Sequence, residues 1–211
     1  MLSRVFVNCL LFCALVLASC DQLGHGSRVE CADVFNEFES GFPFDIVSTS
    51  ERSQWIIKNY DVPASAIRES GPWLYWSEGA TDYSFTTDGP RVIKSWARRF
   101  TVRDVLRCLG DPDVYQAFRE PDVYRLILWY PKRAVSFEAA YFTNATLSAS
   151  PFKLDSDIRT STVVQPADLA SMLDDATPNI NWAHLRDVTL MRPWPGDIQK
   201  IAIIEARFGN K

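Results

Sequence analysis

The first twenty residues, MLSRVFVNCLLFCALVLASC, constrain all that follows, because they decide where the chain folds. Arg4 gives a positive start, Val5 to Ala18 form an apolar run broken only by Asn8, and small residues then lead to Cys20. A positive residue, an apolar run and a small-residue cleavage site, in that order, specify export. The run is too short for a membrane-spanning helix, which needs about 20 residues. Residues 1–19 therefore read as a signal peptide, and what remains must fold outside the cytoplasm, where disulfides persist.

Leu17-Ala18-Ser19-Cys20 resembles the lipobox of bacterial lipoproteins. The resemblance implies cleavage before Cys20 and a diacylglycerol on its thiol, mooring the protein to a bacterial membrane. Asp21 resembles the signal that retains enteric lipoproteins at the inner membrane, a rule that does not extend to every bacterium, so inner and outer membrane both stay open. Ordinary secretory cleavage after Ala18 and an uncleaved anchor are the competing expectations. Residues 20–29 carry Gly24 and Gly26 and little apolar material, and read as a short tether reaching at most ~30 Å.

Removing residues 1–19 leaves 192 of the 211 residues, enough for the single α+β domain expected over 30–211. The mature chain holds 21 basic and 26 acidic residues. That mild acidity argues against nucleic acid, whose affinity depends on Lys and Arg neutralising phosphates. Beyond Cys20 the mature cysteines are Cys31 and Cys108. They can pair, closing a long loop, or lie buried as small hydrophobes. With no CxxC pair or Cys/His cluster, no metal or cofactor is expected.

Short helices and antiparallel strands account for the rest. Val34, Phe35 and Phe38 predict a short helix before Gly41 and Pro43, and Trp55, Ile56 and Tyr60 a second helix from Thr49 to Tyr60. Thr101 is an N-cap residue for a third, in which Val102, Val105, Leu106 and Leu109 share one face and Gly110 and Pro112 end the run. Strands are expected at 73–76, 82–87, 91–96, 124–130, 134–142 and 158–164, with Asp88-Gly89 as a hairpin turn. An offset of 52 places Thr49 on Thr101, Leu74 on Leu126 and Ser84-Phe85 on Ser136-Phe137. This suggests an imperfect tandem of helix-plus-sheet units, 47–98 and 99–150, followed by an α/β extension over 151–211. Within that extension Pro166 starts a helix carrying Leu169, Met172 and Leu173, 188–191 is a short strand, and Ile198 to Ala206, apolar on both faces, reads as a central strand.

Thr101, Val105, Leu109-Gly110, Pro112, Trp129-Tyr130 and Val135-Ser136-Phe137 give the pattern T-x3-V-x3-L-G-x-P … W-Y … V-x-F. This resembles the SmpA/OmlA small envelope lipoproteins and the related β-lactamase-inhibitor-protein fold. The first unit is similar at its other end, through Phe85-Thr86-Thr87-Asp88-Gly89 and Val92. It has Asp61-Val62-Pro63 where Leu-Gly-x-Pro would stand, and the second unit lacks the Asp-Gly turn. The resemblance implies helices packed on one face of an antiparallel sheet, and a partner-binding protein rather than an enzyme.

Catalytic chemistry finds little to use. His25 lies in the tether and His184 beside Trp182 and Leu185, where a packed structural role is favoured over a general base. Asp111, Asp113, Glu120 and Asp122 cluster around the third helix and the following strand; Asp155, Asp157, Asp174 and Asp175 are also acidic. These read as solvated turns and faces, and no catalytic residue is assigned. Trp73, Tyr75 and Trp76, with Trp129 and Tyr130, supply aromatic strand faces, of which one set packs under helices and the other is a candidate binding surface. The expectation is a lipid-anchored, non-enzymatic protein-binding or assembly module at the cell envelope. A glycan-active or other envelope hydrolase using Asp/Glu chemistry is the alternative, and a carrier with an aromatic-lined pocket between the two units is the third.

Overall fold

The computed structural model describes residues 29–36, 46, 48–71, 73–86, 91–164 and 190–205. The signal peptide, most of the tether, the Asp88-Gly89 turn, Phe38, the helix expected after Pro166, both histidines and Asp174-Asp175 lie outside these residues. Every helix and strand below belongs to the unit that begins at Cys31. The fold is α+β and mostly sheet.

Helix α1 is Cys31–Asn36, α2 is Thr49–Tyr60 and α3 is Val102–Leu109. Among the described residues ten strands make one sheet: β1 Arg68–Ser70, β2 Trp73–Glu78, β3 Thr81–Thr86, β4 Arg91–Thr101, β5 Val114–Glu120, β6 Val123–Tyr130, β7 Val135–Phe142, β8 Asp157–Val164, β9 Met191–Pro193 and β10 Ile204–Glu205. The lateral order is β1-β2-β3-β4-β8-β7-β6-β5-β10, with β9 also on β5. Each half is thus one helix followed by a four-stranded antiparallel meander, α2 with β1–β4 and α3 with β5–β8. The halves join where β4 pairs antiparallel with β8. Strand β4 crosses the 98/99 position, and the fourth strand of the second half, β8, lies beyond residue 150.

Pairing register fixes the two faces. One rung runs Trp76, Tyr83, Lys94, Ser161, Phe137, Leu128 and Tyr115 across seven strands, and all seven side chains are buried. Helices cover this face. Tyr60 of α2 lies 5.3 Å from the Trp76 ring and 5.1 Å from Tyr83, centroid to centroid. Of the expected face of α2, Ile56 is fully buried, and the line facing the sheet is buried Arg52 and Ile56 with half-buried Tyr60, at intervals of four. The Arg52 guanidinium carbon sits 4.7 Å above the Phe85 ring, while its Nε donates to the Ile46 carbonyl.

Strand β4 enters α3 with no intervening loop. Thr101 pairs with Asp157 in the sheet and caps the helix, its Oγ1 accepting from the Asp104 N–H while Asp104 accepts from the Thr101 N–H. The other leading amides, Val102 and Arg103, donate to the Ser156 and Leu154 carbonyls. The first turn therefore leaves no orphan donor at these three positions. At the far end, the Tyr130 hydroxyl donates to the Gly110 carbonyl over 2.9 Å.

The apolar run at 198–206 is not a central strand. Ile198–Lys200 is a 3₁₀ turn capped by Asp197, and of the described residues 198–205 only Ile204–Glu205 pairs, parallel to the edge of β5. Its apolar residues are explained by covering, not pairing: Ile198 and Ile201 are buried, and Ile204 packs on a cluster with Phe118, Ile127 and Trp129.

Candidate functional site

The sheet face opposite the helices changes character from one half to the other. Its rung Ser77, Asp82, Ser95, Thr160, Glu138, Ile127 and Gln116 passes from exposed at β2 and β3, through half-buried at β4 and β8, to buried at β7, β6 and β5. The neighbouring rung holds half-buried Tyr75, Ser84 and Thr162, then buried Ser136 and Trp129. In the second half Leu190, Met191 and Ile204 close over Phe118, Ile127 and Trp129. Over β2, β3, β4 and β8 the described side chains of this face are less covered, with Ser77 and Asp82 exposed and Tyr75, Ser84, Ser95, Thr160 and Thr162 half-buried.

A charged cluster stands in the buried half of this face. Arg125 bridges two carboxylates, with Nε donating to Glu120 Oε2 over 2.9 Å and Nη1 to Glu138 Oε1. Burial, opposed by Arg125, raises the Glu138 pKa above the ordinary glutamate value. Burial also works against the Arg125 cation, but Glu138 and Glu120 more than offset it and keep the guanidinium charged. Beside this cluster the buried Trp129 Nε1 donates to Gln116 Oε1 over 3.0 Å.

The aromatic surface expected from sequence does not form. Trp73, Trp76, Trp129 and Tyr130 are buried, and Tyr75 alone of the five is partly open. Trp76 stacks on Tyr83 beneath α2, Trp129 lies under the C-terminal segment, and Tyr130 is tied by its hydroxyl to Gly110. Burial, with Asp111 adding to it, pushes the Tyr130 phenol up. Trp73 and Tyr75 do share a face, with ring centroids 6.2 Å apart, and Trp76 takes the other.

Asp111, Asp113 and Asp122 are exposed in turns, Asp113 forming a 3.8 Å surface pair with Lys132. Only Glu120 of that sequence cluster enters a network. Glu138 and Arg125 were missed by sequence reasoning, although each is a charge placed inside an otherwise apolar strand. Pairing Glu138 with Ile127 and Arg125 with Ala140 makes the two charges diagonal neighbours.

Cys31 and Cys108 are joined, with sulfurs 2.11 Å apart and Cα atoms 5.2 Å apart. Among the described residues, no helix is long and apolar enough to cross a membrane, and no three His, Cys, Asp or Glu groups gather as metal ligands. Compared with known proteins, the chain matches no family model, no curated protein and no solved structure.

Proposed function

We propose that this chain is an exported lipoprotein, anchored to a bacterial membrane through Cys20, that binds a protein partner without catalysing a reaction. Two features support the anchor. The leader ends at Cys20, and the Cys31–Cys108 bond suits an oxidising compartment while leaving Cys20 as the odd mature thiol. A left-over cysteine in an exported chain calls for a chemical fate, and acylation supplies one.

The observation that carries the binding role is the less covered part of the sheet face that, among the described residues, lies opposite the helices. Tyr75, Ser84, Thr160 and Thr162 form a half-exposed, hydroxyl-bearing surface on paired strands, backed on the opposite face by buried Leu74, Trp76, Tyr83, Phe85, Ser161 and Val163. Such a surface loses little side-chain entropy on docking, and its hydroxyls satisfy donors or acceptors alike. The doubled helix-plus-meander is also the arrangement that an SmpA/OmlA relationship would call for, and we include that relationship in the proposal. The non-enzymatic reading rests on the carboxylates: Glu120 and Glu138 both serve one arginine, and Asp111, Asp113 and Asp122 face solvent.

Photo-crosslinking in intact cells tests the binding surface. A photoreactive phenylalanine at Tyr75 or Thr162 should crosslink a discrete protein, whereas the same group at exposed Lys58 of α2 should not. Equal products from all three positions, or none from the sheet, would exclude this face. In the same cells, Cys20→Ser should abolish labelling by a fatty-acid probe and free the protein from the membrane fraction. Persistent labelling would place the acyl group elsewhere.

A further inference from the structure

We infer that the chain carries a second, separate binding site, a cleft that takes a small organic carboxylate with a short apolar body. The cleft lies on the helix-side face at the outer end of the second half, between residues 146–150 and residues 201–205, and has a volume of about 290 Å³. Arg119 of β5 and Tyr124 of β6, cross-strand neighbours in register, form part of its wall. Leu147, Ile201 and Ile203 contribute apolar surface, and Thr146 and Ser148 add hydroxyls.

The guanidinium decides the ligand's charge. Its side chain is only 20% exposed, yet its Nε is buried with no hydrogen-bond partner. Its ion pair is with Glu205, at 3.6 Å, and that carboxylate is 77% exposed. A cation so far removed from water normally finds a closer acceptor, because burial without one is costly. Tyr124 holds the group from the side, its ring centroid 5.7 Å from the guanidinium carbon, and is itself fixed by accepting from the Leu147 N–H over 2.8 Å. The cation is thus positioned but under-satisfied, and a planar carboxylate matches its fork. Glu205, pairing in register with Arg119 from β10, is the tethered competitor that an incoming acid would displace. The Glu205 carboxylate is itself well hydrated and stands 3.6 Å away, so it can give way to an incoming acid.

The volume sets the size. A cleft of 290 Å³ sits at the lower edge of ligand sites and suits about ten non-hydrogen atoms. This reading does not depend on the protein-binding face or on the lipid.

Titration of the purified full chain with sodium hexanoate, followed by amide chemical shifts, tests the proposal. Saturable shifts should centre on Arg119, Tyr124 and residues 146–150. Hexanamide, which keeps the shape and loses the charge, should bind at least tenfold more weakly, and inorganic phosphate should do the same because it leaves the apolar wall unfilled. Arg119→Gln should weaken hexanoate at least tenfold with an unchanged melting profile. Glu205→Gln should tighten it about threefold by removing the competitor, a change that a merely structural arginine would not give. Absence of hexanoate binding, or equal affinity for hexanamide, would overturn the inference. Phosphate binding as tight as hexanoate would also overturn the assignment of ligand class.

Discussion

Replacing Arg125 with leucine is expected to cost about 3 kcal/mol of folding stability at neutral pH, measured by urea unfolding. The loss comes less from the missing ion pairs than from what they leave behind. Glu120 and Glu138 would face each other on a mostly covered sheet surface with no cation between them. The deficit should shrink on acidification, because either carboxylate can take a proton once Arg125 is gone. Wild-type protein should show a weaker pH dependence from Glu138 itself. Its folded pKa is raised above the ordinary 4.5, so the stability that its protonation contributes is fully present below that value. It is lost as pH rises through the folded pKa. Glu138→Gln should remove that component and flatten the profile. An Arg125→Leu deficit below about 1 kcal/mol at pH 7 would contradict the argument, as would a deficit that grows toward acid, since a buried pair broken on one side normally costs more.

How much of this fold could be read in advance depends on which force fixes each element. Helix α3 was legible to its ends, because Thr101, Gly110 and Pro112 are local signals whose chemistry does not depend on tertiary context. The hairpin β6–β7 was legible from two apolar runs around Pro131-Lys132-Arg133. Strand β5 was not. Its seven residues, Val114–Glu120, lie between Asp111-Pro112-Asp113 and Pro121-Asp122, and the turn residues on both sides made the segment look like an acidic loop. The run at 198–206 misled in the opposite direction. Residues apolar on both faces mark burial without saying whether the chain is buried as a strand or as a covering segment.

The candidate site was harder to read for a reason of the same kind. Residue type made Trp73, Tyr75, Trp76, Trp129 and Tyr130 the candidates for a binding surface on one of their two faces, but large aromatics contribute most to the core when they are covered, and all but Tyr75 are buried. The less covered part of the face holds mostly Ser and Thr beside Tyr75 and Asp82, and small hydroxyl side chains in a strand give no signal of binding. Register alone exposes them. Once β4 is known to pair with β8, Tyr75, Ser84 and Thr162 fall on one rung, although 87 positions separate the first from the last.

Converting Cys31 and Cys108 together to serine should lower stability by about 4 kcal/mol, the cost expected from reopening a loop of this length in the unfolded chain. The bond spans a sequence separation of 77 and encloses α1, α2 and all of β1 to β4. Its effect should also be uneven. Helix α1 has six residues, too few to persist alone, and Val34 is its one buried side chain. Phe35 adds a contact 5.3 Å below the Arg133 guanidinium carbon. The bond to Cys108 therefore does for α1 what packing does for α2 and α3. In the double variant, amide exchange at 31–36 should accelerate far more than in β6 or β7, whose side chains are held by buried neighbours on both faces. Reducing wild-type protein with dithiothreitol should reproduce both effects. Uniform acceleration across the sheet would show that the bond stabilises the whole fold without pinning α1. A stability loss under about 1 kcal/mol would mean that loop closure is not what it contributes.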